Sequence, residues 1–163
     1  MSINTNARLD EQAYFVQASA IGALTTTVGD TTYVSMKNYA RVSIVIDVTN
    51  ATSVTGGTVT LKQATAVAGT NEKPLAFTRM LANTDVGAGQ ALTETAVTSN
   101  TFTTDTTNSK RLRYVIDVPA EDLDIANGFD CLRVDVTGMA SATGQVSYTL
   151  YGARYAGASP MAD

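Results

Sequence analysis

Two stretches of this chain alternate with period two, and that period constrains the fold more than any other feature. In Arg41-Val42-Ser43-Ile44-Val45-Ile46-Asp47-Val48, the residues Val42, Ile44, Ile46 and Val48 fall on one side and Arg41, Ser43 and Asp47 on the other. Successive side chains of a strand point to opposite faces, so this spacing predicts a strand with one buried and one solvated face. Arg111-Leu112-Arg113-Tyr114-Val115-Ile116-Asp117-Val118 repeats it, with Leu112, Tyr114, Ile116 and Val118 inward and Arg111, Arg113 and Asp117 outward. The shared Val-Ile-Asp-Val ending is read as two central strands of one sheet arriving at similar residues, because the segments flanking them do not match.

Other strands are expected at Tyr14 to Ala20, Thr31 to Met36, Thr58 to Gln63, Ala76 to Leu81, Cys131 to Val136 and Gln145 to Tyr151. In the last, Val146, Tyr148 and Leu150 alternate with Ser147, Thr149 and Tyr151, the signature of an antiparallel, half-buried strand. β-branched residues dominate these runs. Turn signals separate them at Gly29-Asp30, Thr55-Gly56-Gly57, Val86-Gly87-Ala88-Gly89, Asn127-Gly128 and Thr143-Gly144. The best helical candidate, Ala120 to Ala126 after Pro119, is short enough for a single turn closed by Asn127-Gly128. Residues 82 to 109 read as long loops with weak strands near Ala91 to Ala96 and Thr101 to Thr103. The expectation is therefore all-β: an antiparallel β-sandwich, jelly-roll-like, with long loops and at most one short helical turn. A length of 163 residues suits a single core. The division expected is an N-terminal arm over 1–12, one sandwich domain over 13–156 and a flexible tail over 157–163.

Composition narrows the chemistry. There is no histidine, no tryptophan and one cysteine, so Ser-His-Asp and Cys-His arrangements and His-containing zinc sites cannot be built. No carboxylate pair stands in a diagnostic setting. The acidic run Glu121-Asp122-Leu123-Asp124 with Asp130 invites calcium, but it breaks the helix-loop-helix calcium pattern. Ala126 stands where an Asp or Asn belongs, Asn127 where glycine belongs and Arg133 where the closing Glu belongs. No glycine-rich loop leads into a Lys followed by Ser or Thr. The expectation is a non-enzyme with no cofactor and no metal.

Partners follow similar reasoning. The formal net charge is -4, which disfavours nucleic acid, since sequence-independent phosphate binding needs clustered Lys and Arg. The one basic cluster, Lys110, Arg111 and Arg113, is read as a solvated strand edge. No basic, then apolar leader opens the sequence, and no stretch approaches the roughly 18 apolar residues of a spanning helix. A soluble protein made in the cytoplasm, with no membrane partner, is expected. Cys131, in a strand-like setting, is expected to be a packed thiol. Charged residues make up 16% of the chain, below the roughly 25% typical of soluble domains, which suits a surface packed against neighbours. Carbohydrate binding would lean on exposed aromatic platforms; Tyr151 is more economically the outer side of a strand covered by a loop or another subunit.

One pattern goes beyond composition. The strand Tyr114 to Val118, then Pro119-Ala120-Glu121-Asp122-Leu123-Asp124, then Asn127-Gly128-Phe129-Asp130 lead into Leu132 to Val136, and the chain closes with Tyr148 to Ala156. With Val59-Thr60-Leu61-Lys62-Gln63-Ala64, this resembles small virion structural proteins of tailed bacteriophages, of the head decoration or cement type. The resemblance implies a β-sandwich on the capsid exterior, bound to the phage major capsid protein and assembled as a homo-oligomer, a dimer or trimer. Arg8, Tyr14, Phe15, Arg154 and Tyr155 are the candidate partner-contact residues it implies. The alternatives are a low-copy tail, neck or head-completion component and a host-receptor or glycan-binding β-sandwich module.

Overall fold

The computed structural model describes residues 12–24, 33–153 and 160–161. It is an antiparallel β-sandwich of two sheets. The larger contains β1 (Ala13–Gln17), β2 (Gly22–Ala23), β4 (Arg41–Asn50), β7 (Arg79–Asn83), β8 (Thr93–Ala96), β10 (Arg111–Pro119) and β12 (Ala142–Tyr151). Its order is β1-β12-β4-β10-β7-β8, with β2 also beside β12. The smaller contains β3 (Val34–Ser35), β5 (Thr58–Ala64), β6 (Lys73–Pro74), β9 (Thr101–Thr103) and β11 (Cys131–Val136), in the order β3-β11-β5-β6, with β9 also on β5. Among the described residues no helix is long and apolar enough to cross a membrane.

The two alternating stretches form the centre of the larger sheet. Strands β4 and β10 are direct neighbours, with Val45 opposite Val115, Ile46 opposite Tyr114 and Ile44 opposite Ile116. Val42, Ile44, Ile46, Val48, Leu112, Tyr114, Ile116 and Val118 are all buried, as the period requires. Val59 and Leu61 of β5 and Leu132, Val134 and Val136 of β11 meet them from the smaller sheet in one apolar core. Tyr148 ties the layers together. Its hydroxyl accepts a 2.9 Å bond from the Val134 N–H. Among the described residues strand β3 pairs only with Cys131 and Leu132, and at Val134 the phenol oxygen satisfies the backbone N–H in place of a ladder partner. Burial pushes the Tyr148 hydroxyl well above the usual tyrosine range.

Strand boundaries shift where local geometry intervenes. Strand β1 ends at Gln17 rather than Ala20 because Ala18 and Ser19 both donate to the Val146 carbonyl, at 2.9 and 3.2 Å, a bulge that breaks the ladder. Strand β7 begins only at Arg79, because the preceding residues cross between layers. Leu75 donates to Leu61 of the smaller sheet and Phe77 to Ser99 before the chain joins β10. Strand β12 starts three residues before its expected position and runs through Gly144, where a Cβ would be driven into the Asp47 carbonyl. Glycine there permits close approach of β12 to β4. The segment after Pro119 forms two 3-10 turns, Ala120–Asp122 and Ile125–Asn127, the second closed by Gly128 at φ 80°. A third, Val86–Ala88, lies in the 82–109 excursion. That excursion contributes β8 to one sheet and β9 to the other.

The basic cluster is not at an edge. Strand β10 lies inside the larger sheet, between β4 and β7. Arg113 is solvated because it stands on the outer face, and its guanidinium grips Asp47 of the neighbouring strand with bonds of 2.7 and 3.0 Å.

Candidate functional site

Two layers have two outer faces, and the sequence treats them differently. On the smaller sheet the outward positions of β11, Cys131, Arg133 and Asp135, are all buried. Cys131, Ala64 and Tyr33 pack as a second small apolar cluster with Val67 against it. Arg133 lies over the Tyr33 ring, 4.8 Å from its centroid. Gly69, at φ 80°, lets the chain pass close to that ring, where a Cβ would stand 3.0 Å from Cε2. Glu72 closes the arrangement. It accepts from the Tyr33 hydroxyl at 2.9 Å, Lys62 Nζ at 2.9 Å and Arg133 Nη2 at 3.2 Å. Asp135 takes Lys62 at 3.1 Å and Arg133 at 2.9 Å. These donors, Lys62 foremost and then Tyr33, hold the Glu72 carboxyl below its ordinary range. The loop after β5 is thereby fastened over this face.

The larger sheet presents the opposite. Along β4 and β10 the outward residues Ser43, Val45, Asp47, Val115 and Asp117 are half-buried, and Arg41, Arg111 and Arg113 are exposed. The loop after β7 covers one corner. There Asn83 donates to the Gln90 carbonyl and Lys110 pairs with Asp85. Elsewhere Val45, Val115 and Leu81 lie side by side across neighbouring strands. An open depression of about 360 Å³ runs beside them, lined by Arg41, Ser43, Leu81, Val115, Asp117 and Tyr151. Ion pairs frame the apolar strip: Arg41 with Asp117 at 3.3 Å, Arg113 with Asp47, and Arg79 with Glu94 at 3.2 Å. Such solvated pairs contribute about 0–1 kcal/mol each, so their main effect here is a surface with alternating charge.

Of the candidate contact residues, Tyr14 and Phe15 are on β1, at the edge of this sheet. Phe15 is 56% exposed and stands opposite Thr149 on the outer face; Tyr14 is 42% exposed and meets Tyr39 edge-on at 6.5 Å. Arg8, Arg154 and Tyr155 lie outside the described residues. The strip Val45, Val115 and Leu81 escaped sequence reasoning, although Val45 and Val115 break the polar alternation on the outward side of their strands. That break was the available signal. Tyr151, half-buried on the same side, lies at the rim of the depression.

The acidic loop serves a different end. Lys73 pairs with Asp124 and stands 3.8 Å over the Phe129 ring, while Asn127 donates to both Asp124 oxygens at 2.9 Å. Lys73, then Asn127, hold the Asp124 carboxyl below its usual range. Asp122 borders a depression shared with Arg41 and Asp117, whereas Asp130 borders another beside Met36 and Lys37. The acids are therefore divided: Glu121 shares the second depression with Asp130, Asp122 borders the first, and Asp124 is taken by Lys73. Among the described residues no group of three or more His, Cys, Asp or Glu stands close enough to hold a metal ion. Cys131 is buried against Ala64 and Tyr33, the packed position its strand setting implied.

The fold and this face together define an antiparallel β-sandwich with one outer surface closed by its own loop and one left largely open by the described residues. No protein-family model and no curated protein matches the chain. Among solved structures it is similar to the crystal structure of the SPBc2 prophage-derived protein YomS, at 12% identity and a TM-score of 0.40, covering 86% of this chain and 93% of that one. A likeness that slight transfers no function.

Proposed function

We propose that this protein is a structural component of a tailed-phage virion, a decoration or cement protein that binds the capsid exterior and reinforces contacts between capsomers without catalysis. The observation that carries the reading is the open outer face of the larger sheet, where Val45, Val115 and Leu81 lie in a strip framed by ion pairs. A broad, open surface of mixed apolar and charged residues, with only a shallow depression lined by Leu81, Val115 and Tyr151, suits adhesion to another protein better than enclosure of a small ligand. The resemblance of the strand and turn pattern over residues 111–156 to phage head decoration proteins supports the same reading. Affinity on such a face comes from a few well-packed anchors, and capsid symmetry multiplies it by avidity.

Quantitative mass spectrometry of purified virions tests this. A copy number comparable to that of the major capsid protein is expected. A copy number matching tail or neck rings would move the protein there, and absence from the particle would overturn the virion reading.

A further inference from the structure

The edges of the two sheets are guarded unequally. Exposed strand edges pair readily with other chains, and proteins blunt them with charge, proline or a covering segment. Strand β8 carries Glu94, bound to Arg79. Strand β6 carries Pro74 and Lys73. On β3 the Ser35 N–H is taken by the Pro160 carbonyl at 2.7 Å. Among the described residues the edge formed by β1 and β2 has none of these. Residues 12–24 contain no charged side chain in a protein of net charge -4. They nevertheless hold Tyr14, Phe15 and Ile21, the last 74% exposed, three of the large hydrophobic residues the surface displays.

The ladder fixes which backbone groups this edge offers. On β12 the Tyr151 carbonyl accepts from Ala40, on the β4 side, and the Val146 carbonyl accepts from Ala18, on the β1 side. Antiparallel pairing alternates, so even-numbered residues of β12 bond β1 through Tyr14 and Val16, their register partners. Ala13, Phe15 and Gln17 therefore turn their N–H and C=O groups away from the sheet.

We propose that β1 pairs antiparallel with β1 of a second copy of this chain, across a two-fold axis at Phe15. In that register Ala13 meets Gln17 of the second copy, Phe15 meets Phe15 and Tyr14 meets Val16. Each outward N–H and C=O finds a partner, and the two larger sheets become one. Two like-charged chains approach most easily where neither presents charge, and β1 and β2 carry no charged side chain. Joined Phe15 rings add an aromatic cross-strand pair. The pairing uses the sheet edge and stands whether or not the open face binds a capsid.

Sedimentation equilibrium of the full chain, with native-state amide exchange, tests the proposal. A dimer is expected in which the Ala13, Phe15 and Gln17 amides exchange slowly; a monomer, or fast exchange at these amides within a dimer, overturns it. Phe15→Lys sets two cations face to face and should weaken the dimer by about a hundredfold while the circular dichroism spectrum is unchanged. Thr95→Lys on the opposite edge should leave it intact. Mixing Phe15→Lys with Phe15→Glu should restore a heterodimer. A dimer insensitive to Phe15→Lys, or no heterodimer from the mixture, refutes this register. Should Phe15→Lys fail to fold, the amide exchange of the unaltered protein decides alone.

Discussion

Arginine and aspartate pair on both outer faces of this sandwich, with opposite consequences. Arg133 and Asp135, on the smaller sheet, are buried beneath a loop anchored by Glu72, with the Arg133 guanidinium over the Tyr33 ring. Arg113 and Asp47, on the larger sheet, form a similar pair in solvent with nothing over them among the described residues. A buried pair has lost its water and depends on its partner; a solvated pair has kept its water and can be lost cheaply. One face is a joint within the molecule, and the other, left in solvent by the described residues, is the proposed binding surface.

Replacing one cation on each side breaks the comparison most sharply. Arg133→Met leaves the buried Asp135 carboxylate with Lys62 as its remaining cation and should cost about 2–3 kcal/mol in urea unfolding. Arg113→Met should cost about 0–1 kcal/mol in the same assay. Equal losses would contradict the distinction. A smaller effect is expected from Tyr33→Phe, which removes the 2.9 Å bond to Glu72 and should lower stability by about 1–2 kcal/mol, read from the urea midpoint.

Acid titration sharpens the closed side further. Lys62 and Tyr33 depress the Glu72 carboxyl, so its contribution is fully present above the ordinary carboxylate range and is lost as pH falls through the depressed value. Glu72→Gln should flatten the acid limb of the stability-pH curve; an unchanged limb would show that the loop is held without this charge. Smallest in stability, about 0–1 kcal/mol, is Val115→Lys on the open face. Its thermal midpoint should hardly move, while co-sedimentation with capsids should be lost.

The core was legible in the sequence because a sheet with one buried face writes its period into the chain: Val42 to Val48 and Leu112 to Val118 sit where alternation placed them. The short strands were not legible. Gly22–Ala23 and Lys73–Pro74 are two residues each, too brief to show a period, and exist only because β12 and β5 offer a partner. Burial of Arg133 and Asp135 was equally hidden, since alternation marks them as outward and only the distant Tyr33 and Glu72 close over them. The open face was half-legible. Its charges could be read off the strands, but the strip of Val45, Val115 and Leu81 required the register between strands. Tyr14 and Phe15 could be picked out, yet the exposed edge they occupy follows from the pairing of β1 with β12.

Hydroxyl-radical footprinting of the protein, free and in purified virions, tests most directly the claim that one face is a joint and the other a binding surface. The account predicts that labelling at Leu81, Val115 and Tyr151 falls on the particle while labelling at Val67 and along the loop that carries Glu72 is unchanged. Protection of that loop with Leu81, Val115 and Tyr151 still labelled would contradict it.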